Sequence, residues 1–285
     1  MQGISPNEVI NWINEIGNIP TGACACPDFL KPLHLVTIGL AVKKSGWTGL
    51  KLPSQLERYA TRMNLWDSIG MHPPQQVTQY QQTGKFLPVQ RFDQNKRDVQ
   101  IVSADLAAII NQTITKEYQD SLSDCLVELV NNFFDHAKSS SELPCLVAAQ
   151  TWPQGKRVQI AIADAGIGIR NSLSENSELL TPLKNGNACE LASTYGVSSK
   201  LGNDHSGYGL TLARDLMNQA KGSYILISGN EVYTSKQGHD ATQKIRSPWA
   251  GTVLVLEWSL DTPLSSRSVY AAWPLPEGFN QDDYF

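Results

Sequence analysis

The stretch "CLVELVNNFFDHAKSS", residues 125–140, places apolar and polar positions with the period of a helix. Leu122, Leu126, Leu129 and Phe133 fall on one face, the i, i+3, i+4 spacing of an amphipathic helix. The opposite side stacks Glu128 one turn before Asn132, with Asn131, Asp135 and His136 beside them. Such a face is either solvated or a site. Elsewhere, Val9, Ile10, Trp12, Ile13 and Ile16 predict a short helix ending at Gly17. A second helix is expected from Pro32 to the stop "KKSG", proline being favourable in a first turn. A strand or loop is expected before it and a short strand near Leu50–Leu52. "SQLERYATRMNLWDSIG", 54–70, predicts a third helix with Ser54 as its cap.

Beyond residue 85 the periodicity changes. A helix is expected at about 101–118, ahead of the one at 125–140. "CLVAAQTW" (145–152) and "RVQIAIAD" (157–164), joined by "PQGK", predict a β-hairpin. "YGLTLARDLMNQAKG" predicts a helix stopped at Gly222, followed by the strand "SYILIS" and a final strand "GTVLVLEW" at 251–258. Residues 171–206 carry Ser, Asn, Gly and Lys with only brief helical patches, a length that reads as a functional loop or lid. No clear element is expected after 261. Helices and strands are grouped instead of alternating, which predicts an α+β fold with helices on one face of a mixed or antiparallel sheet. The Pro- and Gln-rich run 71–85 marks a boundary. Three regions are therefore expected: 1–85, 86–260 and a tail, 261–285.

Composition narrows the classes. The chain has 285 residues, 41% hydrophobic, enough for a sizeable core. A net charge of −4 gives no support to a broad nucleic-acid surface. No apolar run approaches the roughly 20 residues of a membrane span, and "MQGISPNEVI" lacks the layout of a signal peptide. A cytoplasmic protein without membrane contact is the expectation. The five cysteines are odd in number and scattered, with no metal-ligand spacing, and read as reduced and structural.

Two glycine clusters carry the chemistry. "IADAGIGIR", 162–170, sets Asp164, Gly166 and Gly168 at the exit of a strand. "HSGYGLTLARDL", 205–216, sets Gly207, Tyr208, Gly209 and Leu210 at the start of a helix. The second suits a phosphate, because glycine lets backbone N–H groups approach and the helix start is positive. A carboxylate would repel a phosphate, so Asp164 suits the exocyclic amine of adenine. Neither cluster is a P-loop or a dinucleotide fingerprint, and either alone reads as readily as a turn.

Taken in order, Glu128-x-x-x-Asn132, Asp164-x-Gly166-x-Gly168, Gly207-x-Gly209-Leu210 and Gly251-Thr252 before a strand resemble the GHKL ATPase superfamily over about residues 100–260. "ELVNNFFDHA", "IAIADAGIGIRNSL", "YGVSSKLGNDHSGYGL" and "GTVLVLEW" look most like its stand-alone bacterial ATP-binding proteins. The resemblance implies a Bergerat-type α/β sandwich binding ATP and Mg²⁺. It implies that Asn132 ligates the metal and Glu128 acts on the attacking water. Asp164 would meet adenine in a pocket shaped by Gly166 and Gly168, Gly207, Gly209 and Leu210 would meet the phosphates, and Thr252 would lie near the base. Tyr208, Asp135 and His136 are further candidate nucleotide contacts. Lys200 and His205, at the lid's end, are either cations near the γ-phosphate or solvated lid residues. Asp135 stands where histidine kinases usually carry a lysine or arginine, and no phospho-acceptor histidine motif is present, so a histidine autokinase is disfavoured.

Within 1–85, "FLKPLHLVTIGLAVKKSGWTGLKLPSQLERYATRMNLWDSIG" resembles a degenerate STAS domain, a small α/β interaction module, with Lys31-Pro32-Leu33 where the acceptor serine would stand. Three functions stay open: a Mg²⁺-dependent ATPase acting as a nucleotide-gated switch in bacterial regulation, a serine protein kinase of the anti-sigma-factor type acting on a separate STAS-like partner, and an ATP-gated binding module with little turnover. Each calls for a protein partner, a regulator or a STAS-like protein, and a homodimer is also open.

Overall fold

The strand segments are apolar at nearly every position, and this decides the architecture. A sheet whose strands are apolar on both sides must be covered on both sides. The computed structural model describes residues 3–19, 26–75, 77, 85–92, 116–137, 143–199 and 207–274; of these, the side chains of 116–119, 135 and 136 lie outside the description. Five strands, β1 (Phe86–Phe92), β2 (Cys145–Trp152), β3 (Arg157–Ala163), β4 (Ser223–Lys236) and β5 (His239–Ser259), form one open sheet in the order β1-β2-β3-β5-β4. All its pairings are antiparallel. The described sheet is thus antiparallel, where a mixed one was left open from sequence.

The front face carries the even-numbered residues of β3 and β5 (Val158, Ile160, Ile162; Leu254, Leu256, Trp258), buried under helices from the second half of the chain. The back face carries Ala161, Ala163, Val253 and Val255. It is covered by α1 (Pro6–Ile16), α2 (Pro32–Ser45), α3 (Ser54–Arg62) and the short α4 (Leu65–Ser68). Two expectations are corrected here. Helices lie on both faces of the sheet, and the described residues of 1–85 ahead of β1 contain helices and no strand. Leu50 and Leu52, expected in a strand, are buried without strand pairing. The arrangement is α+β, in three layers sharing one sheet. Residues 1–75 build no separate core from what is described: their apolar side chains and the back of the sheet form a single cluster.

A buried polar network ties this back layer down. The Glu257 carboxylate accepts the Ile4 N–H at 2.7 Å and the Gln159 amide at 2.8 Å, and the Gln159 oxygen accepts the Leu33 N–H at 3.3 Å. Buried polar groups cost free energy unless paired, so these bonds fix where the N-terminal segment and the start of α2 sit. His34 is structural: its Nδ1 accepts the Lys31 N–H at 2.9 Å, and burial pushes it down to about 3, keeping it neutral at physiological pH.

The front layer is α5 (Lys116–His136), α6 (Ile169–Leu173), α7 (Leu180–Asn185), α8 (Ala188–Ala192), α9 (Gly209–Gln219) and α10 (Ser266–Ala272). The expected stripe Leu122, Leu126, Leu129 and Phe133 is the buried face of α5. Of the stretch 171–206, expected as a loop or lid with brief helical patches, residues 171–199 hold more helix than that, short helices joined by turns, and 200–206 lie outside the described residues; the tail contains α10, expected to hold no element. α3 starts after Pro53 with no side-chain cap from Ser54, and its predicted helix breaks at Met63–Asn64 before α4. The helix expected at 101–118 lies outside the described residues except for the first residues of α5.

Candidate functional site

Between α5 and the front of the sheet lies a cavity of about 870 Å³, its open mouth included. Its wall takes Leu129, Asn132, Phe133 and Ala137 from α5, Ile162 and Asp164 from the end of β3, and Thr252 and Leu254 from β5. Gly168, Ile169, Ser172 and Leu173 close one side, and Ala192, Val197, Ser198 and Ser199 another. Gly207, Gly209 and Leu210 complete the rim. Residues distant in sequence, 132, 164, 168, 207, 209, 210 and 252, therefore meet around one space. Mostly apolar walls with a few convergent polar groups are the usual make-up of a small-molecule site.

Asp164 is the polar centre. It is 7% exposed, and its main chain and side chain are both held. Its N–H donates to the Thr252 carbonyl at 2.9 Å, its carbonyl accepts the Trp249 indole N–H at 2.9 Å, and its carboxylate accepts the Gly166 N–H at 2.7 Å. Burial pushes the carboxyl up to about 6, while hydrogen bonds from Gly166 and Thr252 pull the other way. A buried carboxylate raised towards neutrality and lining a cavity marks a candidate binding group. Gly251 allows the approach of β5: its φ is +94°, and a Cβ there would sit 2.3 Å from the Asp164 carbonyl oxygen. The Ser228 hydroxyl stitches the floor, donating to the Gly251 carbonyl at 2.7 Å and accepting the Ile169 N–H at 2.8 Å.

The second glycine turn faces α5. A Cβ on Gly209 would stand 3.0 Å from the Glu128 Cβ and 3.3 Å from the Asn132 amide nitrogen, so glycine lets the start of α9 lie directly on that helix. Asn132 is half-buried and lines the cavity; Glu128, a turn earlier, is exposed and is not among the lining residues. Gly166 acts through its N–H and does not line the space. Tyr208 is also off the cavity wall: its ring stacks on Tyr195 with centroids 4.7 Å apart and lies 5.3 Å from Trp273. Lys200, His205 and the side chains of Asp135 and His136 lie outside the described residues. Among the described residues no three His, Cys, Asp or Glu side chains cluster as a metal site.

Sequence reasoning missed the apolar side walls, Ala192 and Val197, and the props Trp249 and Ser228. These carry no motif, and only the fold brings them together. Among the described cysteines, Cys125, Cys145 and Cys189 are buried free thiols in the core, and Cys26 is exposed. No protein-family model matches the chain, and no curated protein matches it significantly.

Proposed function

We propose that this protein binds ATP with Mg²⁺ in the α5–sheet cavity and hydrolyses it, acting as a nucleotide-gated switch. One observation carries the reading: a buried carboxylate and an amide, Asp164 and Asn132, face the same cavity beside a glycine turn that has no room for a Cβ. The purine fits the apolar end, its amine donating to Asp164 and one of its faces lying on the paired Ile162 and Leu254. The triphosphate extends towards Gly207–Gly209, where the 11-residue helix α9 starts with no side-chain cap among the described residues and presents its first N–H groups. Asn132 supplies the oxygen ligand a hard cation prefers, and the bound magnesium would offset phosphate charge. Glu128, one turn away on the same helix, is the group to orient the attacking water.

A second reading, an ATP-gated binding module with little turnover, is favoured by the position of Glu128 outside the cavity wall. Steady-state phosphate release separates the two. Under the ATPase reading Glu128→Ala lowers turnover at least about a hundredfold and leaves ATP affinity within about threefold. Equal turnover in parent and variant eliminates Glu128 as the base. Transfer of labelled phosphate to an added STAS-like protein would instead favour the kinase alternative.

A further inference from the structure

β5 carries an irregularity next to the cavity. Ser228 of β4 pairs with Thr252, yet its neighbour Gly229 pairs with Trp249, so Ala250 and Gly251 are extra residues on β5. A bulge of this kind bends a strand and re-aims the side chains beside it. Here the buried Trp249 indole lies among the back-layer core residues, and its N–H reaches the Asp164 carbonyl at 2.9 Å. The strand just before the bulge is anchored by helix α1. The Asn14 side-chain oxygen accepts the Arg246 and Ser247 N–H groups at 2.8 and 3.1 Å, and the Ser247 hydroxyl donates to the Asn14 carbonyl at 3.1 Å.

We infer that Trp249 is a positioning residue for recognition of the base, and that α1 supports it through Asn14. The inference rests on the reading of the cavity as an adenine site. Thr252 holds Asp164 on its N–H side and Trp249 on its carbonyl side. Together they set the direction in which the carboxylate leaves the backbone. A recognition group has to be held within about 0.5 Å of its productive place. The indole N–H is the part of this hold supplied by a side chain of the back layer's core, so removing it frees the 164–165 peptide and lets the carboxylate shift from its productive place, while the carboxylate and its bonds from Gly166 and Thr252 are chemically unchanged.

The test compares ATP with purine riboside triphosphate, which lacks the exocyclic amine, by calorimetry with Mg²⁺ on the full chain. The parent is expected to prefer ATP by at least about tenfold, the worth of one good hydrogen bond. W249F keeps an aromatic ring and removes the donor; its preference is expected to fall below about threefold, through weaker ATP binding with the analogue's affinity little changed. A purely structural role would weaken both ligands equally and leave the ratio untouched, and that result overturns the inference. A parent with no preference removes the adenine reading itself, and the inference with it. Should W249F not fold, N14A reads the same path: a reduced ratio supports the inference and an unchanged ratio overturns it.

Discussion

Asp164 shows what one buried carboxyl costs the fold and gives the site. Its pKa in the folded chain, about 6, lies above the ordinary carboxylate value because burial disfavours the charged form. The sign of the pH effect follows. The folded state holds its proton more tightly than the unfolded chain, so stability is fully present below about pH 4 and is lost as pH rises through 6. Two pKa units correspond to about 3 kcal/mol at most. Asp164→Asn should therefore make the free protein as stable at pH 8 as the parent or more so, by up to about 2 kcal/mol. Denaturant melts at pH 5 and 8 check this, and a loss of stability at pH 8 alone would contradict it. The same change should weaken ATP binding at least about tenfold, because an amide in place of the carboxylate offers one acceptor oxygen where there were two and adds a competing donor. Stability held back for function is a common trade at binding sites.

At the scale of elements, the site depends on how α9 meets α5 and on how the short helices are pinned. Gly209→Ala pushes a methyl against the Glu128 Cβ at 3.0 Å. Helices packed this closely separate when a methyl is inserted, so a loss of about 1–3 kcal/mol and weaker nucleotide binding are expected; an unchanged melt would show that the helices have room to spare. Arg170 pins the segment that closes the cavity. It donates twice to Glu231 on β4 at 2.6 and 2.8 Å and to the carbonyls of Leu183 and Gly186 at 2.5 and 2.9 Å. Arg170→Met should raise hydrogen exchange across 183–192 at least about tenfold, with little effect on the amides of β3; protection unchanged in that segment would assign the anchoring to its apolar contacts. Much of this layer was legible. Leu122, Leu126, Leu129 and Phe133 announced α5, and the paired apolar runs announced the β2–β3 hairpin, β2 to the residue and β3 to within one. The helices of 169–192 showed only as brief helical patches, without bounds, because helices of five or six residues have too few turns to show a period. Arg170 had no visible partner in sequence, since Glu231 lies 61 positions away.

The whole molecule explains the largest difference between expectation and structure. "IAIA", "YILI" and "TVLVLE" are apolar on both alternations, the mark of strands buried on both faces, and expecting helices on one face only left the back of the sheet uncovered. Residues 1–75 supply that cover, so their removal exposes Ala161, Val253, Val255 and Ile225 together and leaves Glu257 without Ile4. A chain starting at residue 85 is expected to be insoluble or aggregated by size-exclusion chromatography; a monomer with the parent's melting temperature would show that the layer is dispensable. Because the back layer grips β5 beside the cavity, it is part of the frame that holds the site. No described helix is long and apolar enough to cross a membrane. The grouping of the glycines, Asp164 and Asn132 around one cavity was readable from their order along the chain, since each motif alone reads as readily as a turn or a solvated face, whereas the apolar walls follow only from packing. The most direct measurement is a calorimetric titration of ATP with Mg²⁺ into the intact chain and into Asp164→Asn. Saturable one-to-one binding by the parent, weakened at least about tenfold in the variant, is the predicted result. No binding to the parent, or equal affinity in both, would contradict it.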